Sequence, residues 1–202
     1  KSAIYRELRA SDDFGALAAR LARVPVVLSR RVDNRQPRWL MQLKHPLYDR
    51  VIAISRAIRR VLLTDGLPRR KLHCVRSALD PAPYQQPADR AWLERELNVP
   101  AGAPVIATVA QFIERKGHAT LIEAMPAIVE KHPAAVFVLF GQGPTRETIE
   151  AMARQRGLLA HLRFPGFRDD MARLMPALDL VVHRAYREGL GVALLEVAAA
   201  GV

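Results

Sequence analysis

Cysteine is almost missing from this sequence. Cys74 stands alone among 202 residues, so no internal disulfide can form, which fits a reducing compartment. No apolar run approaches the ~18 residues of a membrane-spanning helix, and no signal-peptide pattern is visible. These absences read as a cytoplasmic protein. Aspartates and histidines nowhere gather at metal-ligand spacing. Aromatics make up only 6% of the chain and do not interleave with the arginines, which argues against a stacking platform for nucleic acid. Repeats of solenoid period and low-complexity tracts are also lacking. A first residue that is Lys1, and a hydrophobic pattern still running at Val202, lead to the expectation of a piece of a longer protein.

What is present is apolar and basic. Half of the residues are hydrophobic and the net charge is +11, enough apolar material for one or two α/β units. The charge is lopsided: residues 1–80 carry 18 Lys and Arg against 7 Asp and Glu, whereas residues 81–202 carry 13 of each. The excess sits in Arg20, Arg23, Arg30, Arg31, Arg35, Arg38, Arg56, Arg59, Arg60, Arg69, Arg70 and Lys71. Such a surface attracts phosphate, on nucleic acid or on an anionic membrane leaflet. A solvated arginine-rich face is the plainer reading.

Apolar runs of strand length recur at 24–29, 51–55 and 71–75, each followed by helical spacing. Residues 81–103 then gather prolines around one short amphipathic piece and predict a linker. The first unit is therefore expected over 1–80 and the second over 104–202. In the second, strands are expected at 104–112, 135–141, 162–166 and 178–183, with crossover helices between them. Unbroken apolar strands belong in a parallel sheet covered on both faces, so this unit reads as a doubly wound sheet with its ligand at the carboxyl ends of the strands. Pro126 is expected to kink or shorten the first of its helices, and Gly157 to close the second.

The loops after these strands all contain glycine, which allows sharp turns and close approach of backbone to a ligand. Lys116, next to Gly117 at a helix start, sits against the positive end of the helix dipole unless an anion is bound there. Near the end of the chain, REGLGVALLEVAAAG holds Glu188 and Glu196 in an apolar run. The helix from Val192 is apolar nearly all round and is expected to be buried, with Glu196 inside. An unpaired buried carboxylate is costly; its donors are either a ribose diol or an arginine of a neighbouring segment. Glu188 lies beside the amides of Gly189, Leu190 and Gly191, which can hold a diphosphate.

The spacing EGLGVALLE, together with ATVAQFIERKGHATLIEA, FGQGP, LRFPGFRDD and LDLVVHRAYREG in that order, resembles the retaining GT-B glycosyltransferases of family 4 over roughly residues 20–202. The resemblance implies an α/β GT-B fold of two Rossmann-like, doubly wound parallel-sheet domains, both incomplete in this fragment. It implies a UDP-, GDP- or ADP-sugar donor and a glycan or lipid-linked acceptor in cell-envelope polysaccharide or lipopolysaccharide synthesis. Lys116 would meet the diphosphate, Glu196 the ribose and Glu188 the transferred sugar, with Gly166 and Phe167 near the base. Such enzymes need no metal, which agrees with the missing Asp and His cluster, and no cofactor is expected. Arg30, Arg31 and Asp33 of SRRVDN, residues 29–34, which follows a strand, would line the acceptor cleft or form a structural ion pair, and the acceptors of the family imply the inner membrane face as partner. Two departures stand out: Gln111 replaces an arginine common in the family, for which Arg115 compensates or the donor grip weakens, and Arg184-Ala185 replaces a Pro-Ser pair. A fragment alone is expected to have little transferase activity. The rival readings are a basic nucleic-acid-binding protein and an epimerase or phosphorylase on the same fold.

Overall fold

The computed structural model describes residues 4–7, 12–186 and 188–202, with side chains from Phe14 onward except Arg187. They fall into two compact units: Lys1–Ala78 with Glu188–Gly191, and Leu79–Arg187 with Val192–Val202.

The first unit runs β1 (Ile4–Glu7), α1 (Asp12–Leu21), β2 (Val26–Arg30), α2 (Arg38–Lys44), β3 (Arg50–Ala53), α3 (Arg56–Thr64) and β4 (Leu72–Cys74). Its strands are parallel and lie in chain order, β1-β2-β3-β4. β1, whose sequence IYRE has no apolar run, is an addition to the expected strands. Val51, Ala53, Ile58 and Leu62 form the center of the core. Ser55 starts α3 by accepting the Ile58 amide at 3.2 Å, the ordinary N-cap device.

The second unit runs α4 (Arg90–Glu96), β5 (Val105–Val109), α5 (His118–Lys131), β6 (Val136–Phe140), α6 (Arg146–Gln155), β7 (Leu162–Gly166), α7 (Met171–Leu174), β8 (Leu180–Val181) and α8 (Val192–Ala200). Its parallel sheet has the order β7-β6-β5-β8, so the winding reverses between β5 and β8. All five residues of β6 are buried, as a strand covered on both faces requires. Pro165 removes one ladder donor from β7, which lies at an edge and shifts register against β6 between Val138 and Phe140. Pro126 is accommodated within a continuous α5. Gly157, at φ +68, follows α6, and the Leu158 amide bonds back to Ala153 O at 2.9 Å, the closure expected of a helix ending in glycine.

Two expectations are corrected. The stretch 81–103 is not a linker: Leu93, Leu97, Val99 and Ala103 are buried in the core of the second unit, because the amphipathic face of α4 covers one side of the sheet. α8 is not buried all round: Val197 packs inward while Val192 and Leu194 are exposed. A helix apolar on every side carries no sequence signal for which face meets neighbours.

Both sheets use the same clasp. Asp49 precedes β3 and Asp179 precedes β8, and each accepts the amide of the first residue of the adjoining strand: Val26 at 2.8 Å and Val105 at 2.7 Å. In return the Asp49 and Asp179 amides donate to the carbonyls of the same valines. An arginine holds each carboxylate: Arg20 on Asp49 at 3.2 Å, and Arg90 on Asp179 at 2.8 Å. Arg90 also reaches Glu94 at 3.0 Å, Ala177 O at 2.9 Å and Ala103 O. One guanidinium thus fastens α4 to the entries of β5 and β8. Asp179→Ala should cost about 1–2 kcal/mol, since it leaves the Val105 amide without its acceptor and takes one of several partners from Arg90, and Asp179→Asn should recover part of this; urea unfolding monitored by circular dichroism measures both.

Candidate functional site

At the carboxyl edge of the second sheet the strand-end loops enclose a cavity of about 600 Å3. It lies over the carboxyl ends of β5, β6 and β7, the side on which such sheets bind ligands. The ends of β5 and β6 contribute Gln111 and Gln142, the loop after β7 contributes Phe167, Arg168 and Asp169, and α7 and α8 contribute Met171 and Glu196. Tyr84 closes the remaining side.

Main chain binds these loops together. The Phe112 amide donates to Gln142 O at 2.9 Å and the Gly141 amide to Gly166 O at 2.8 Å. Gly141, at φ +129, has the Ala110 carbonyl oxygen 2.0 Å from where a Cβ would lie, and Gly143 has Phe112 O at 2.3 Å. Any side chain at either position would force the loops apart.

Of the expected site residues, Gln111, Phe167 and Glu196 line the cavity. Gly166 ends β7 at φ +82, next to Phe167. Glu196 is half-buried, and its partner is neither of those weighed from sequence but the Tyr84 hydroxyl, whose pKa is raised by burial and by the bond to Glu196. Arg168 is held by Asp170 at 2.8 Å and by Glu96 at 2.7 Å, and those hydrogen bonds push its pKa upward. This cation is fixed in the wall by α4, again through the stretch expected to be a linker.

Arg115 and Lys116 occupy the 3-10 turn Glu114–Lys116 that leads into α5. No side chain caps α5, so its first amides keep the capacity for an anion. Gly117 adopts φ +72 and has Arg184 O 2.1 Å from its would-be Cβ. The loop after β8 therefore packs directly on the Lys116 turn. Tyr186 N donates to Arg115 O at 2.9 Å, and the Tyr186 hydroxyl meets Thr120 Oγ1 at 2.6 Å. Arg184 lies over the Tyr186 ring at 4.8 Å, so the Arg184-Ala185 departure gives this loop its own aromatic brace. Arg187, in the same loop, lies outside the described residues.

His118 opens α5 and is 3% exposed, stacked on Phe112 at 4.4 Å between ring centroids. Neither ring nitrogen has a hydrogen-bond partner. Burial first, and Lys116 second, lower its pKa to about 4, so the imidazole is neutral at pH 7.

Glu188, Gly189, Leu190 and Gly191 do not line this cavity; they belong to the first unit. A Cβ on Gly189 would lie 2.2 Å from Arg31 O and 2.8 Å from Ile58 Cδ1, and Leu190 packs on the core there. Arg30 is turned onto its own loop, donating to Val32 O at 3.1 Å and to Asn34 O. Burial lowers its pKa, while Asp65 and Asp33 oppose the shift. Arg30 and Asp33 thus stabilise the loop that carries Arg31.

Tyr84, Gln142, Arg168 and Met171 were not singled out from sequence. Tyr84 sits in a proline-rich stretch with no motif, whereas the Arg168–Asp170 spacing in FRDD was the one available signal. Among the described residues no group of His, Cys, Asp or Glu could hold a metal ion, and no helix is long and apolar enough to cross a membrane.

Residues 89–202 match the family model described as glycosyl transferases group 1. The lipopolysaccharide core biosynthesis glycosyltransferase LpsE of Rhizobium meliloti is 37% identical over 101 residues, covering 50% of this chain and 28% of that protein. The putative glycosyltransferase EpsF of Bacillus subtilis is 30% identical over 100% of this chain and 56% of its own length. The chain thus spans about half the length of EpsF and less of LpsE. Among solved structures, Anabaena HepE in complex with UDP and glucose superposes with a TM-score of 0.79 at 25% identity, covering 93% of this chain and 54% of that one. The α/β units with parallel sheets are those of the GT-B fold.

The buried neutral His118 has a consequence for acid stability. Its folded pKa lies below the ~6.5 of an unfolded histidine, so the unfolded chain takes up the proton first and stability falls as pH drops from about 6.5 towards 4. The loss from this group should reach about 3 kcal/mol. Urea unfolding at pH 7 and pH 4, compared with His118→Phe, isolates it; a difference between the two proteins that is flat with pH would contradict a neutral His118.

Proposed function

The chain belongs to the glycosyl transferases group 1 family, and on that premise we propose that it takes part in transferring a sugar from a nucleotide-sugar donor to a glycan or lipid-linked acceptor. We assign it to family 4 and to retention of anomeric configuration, in lipopolysaccharide or cell-envelope polysaccharide synthesis. The observation that carries the reading is the cavity over the carboxyl ends of β5, β6 and β7, with Glu196 in its wall. The likeness to LpsE, a lipopolysaccharide core biosynthesis glycosyltransferase, and to HepE, which binds UDP and glucose, supports the substrate class.

In this reading the nucleotide occupies the cavity of the second unit. Glu196 accepts the two ribose hydroxyls, held in orientation by Tyr84. Gly166 and Phe167 flank the base. The diphosphate lies towards Lys116 and the uncapped amides of α5, and Gln111 and Arg115 add hydrogen bonds and charge. As the bond between sugar and phosphate breaks, negative charge grows on the leaving diphosphate. Donors already in place when charge develops are the strongest contribution such a site makes, and Lys116 supplies a full positive charge. The transfer is proposed to need no metal ion. Glu188 is assigned to the transferred sugar and the Gly189–Gly191 amides to the diphosphate; Arg30, Arg31 and Asp33 belong to the acceptor side. The basic first unit is assigned to an anionic membrane surface at the cytoplasmic face.

A thermal-shift titration with UDP-, GDP- and ADP-sugars tests the donor site. One nucleotide class should stabilise the chain by roughly 3 kcal/mol at about 100 times its Kd. Glu196→Ala should abolish the shift and Tyr84→Phe should weaken it. Absence of a shift with every nucleotide would overturn the reading.

A further inference from the structure

The carboxyl edge of the first sheet holds a second cavity, of about 390 Å3, lined by Arg56, Arg59, Arg60, Cys74 and Arg76. Arg56 is the first residue of α3, and Arg59 and Arg60 follow on the next turn of that helix. Cys74 ends β4, and Arg76 lies two residues beyond it. Because β3 and β4 are parallel, the α3 start and the end of β4 meet at one edge, the side on which sheets of this kind bind ligands.

Four arginines thus line one hollow. Asp49 is held by Arg20 and the Val26 amide. Asp65 accepts the Gln36 amide and lies 3.7 Å from Arg35, and both Asp65 and Asp33 act electrostatically on Arg30. Among the described residues no salt bridge reaches Arg56, Arg59, Arg60 or Arg76. Four like charges around one hollow repel one another, and an anion placed among them relieves that repulsion. Guanidinium groups are also matched to phosphate oxygens, which they bind through paired hydrogen bonds.

We propose that this four-arginine cavity binds a phosphate group, carried by the acceptor. Assignment to the acceptor rests on the transferase reading; the phosphate site itself does not. The cavity is built entirely from the first unit, so it leaves the nucleotide site of the second unit to the donor.

Cys74 provides the test, since it is the sole cysteine, is exposed and lines the cavity. Its modification by the neutral reagent N-ethylmaleimide is followed on the full chain in inorganic phosphate and in chloride of equal ionic strength. A parallel arm compares phosphatidylcholine vesicles with and without phosphatidate. Phosphate at about ten times its Kd should slow modification about tenfold by occupancy, and the double variant Arg59→Gln, Arg76→Gln should lose that protection. Protection by free phosphate means that a soluble phosphate suffices; protection by phosphatidate vesicles alone means that the group must be presented on a lipid. The proposal is overturned if neither protects beyond its control, or if the double variant is protected as well as the parent chain. A nucleotide-dependent thermal shift retained in the double variant keeps the donor reading separate from this outcome.

Discussion

In each sheet an aspartate standing one residue before a strand holds the neighbouring strand at its first amide. Asp179 does this for β5 and Asp49 for β2, each carboxylate bound by an arginine from a helix or its start. The clasp matters most in the second unit, where β8 pairs with β5 through only Ile106–Leu180 and Ala107–Val181. A ladder that short contributes little by itself. Arg90 and Asp179 fix its entry, and the bonds from Val182 N to Ala107 O and from Thr108 Oγ1 to Val182 O carry the alignment to the far end. The loop that packs on the Lys116 turn starts from that aligned end.

Much of this architecture was legible in the chain. Runs such as VFVLF at 136–140 are apolar at every position, and only a strand covered on both faces satisfies that pattern. Three features were hidden for physical reasons. β1, IYRE, has no apolar run to announce it and pairs in parallel with β2. The proline-rich 81–103 stretch looks like a connection because prolines break helices, yet Leu93 and Leu97 are placed to close one face of the sheet. α8 is apolar on all sides, so composition could not reveal that Val197 faces inward and Leu194 outward.

The candidate site was legible where chemistry is carried by residue type. A glutamate in an apolar helix demands a partner, and Glu196 does lie in the cavity wall. The identity of that partner was not legible, because Tyr84 is more than a hundred residues away in sequence and reaches Glu196 only through the fold. Nor could spacing reveal that the run EGLG divides from the helix following it: Gly189 is pressed against Arg31 O and Ile58, contacts set by tertiary packing in the first unit. Arg168 was likewise concealed, since its fixed position depends on Glu96 from α4 as well as on Asp170.

The glycine-lined junction of the loops after β5 and β6 limits how this cavity can vary. Where Gly141 meets Ala110 O and Gly143 meets Phe112 O, carbonyl oxygens already fill the space that any larger residue needs. That part of the wall presents the same peptide groups whatever neighbouring side chains become. Discrimination among ligands must therefore be written in the rim, at Gln111, Gln142, Phe167 and Met171, where side chains can change size and polarity without moving the backbone. Within one scaffold, preference can drift from one ligand to another while the means of holding it stays constant.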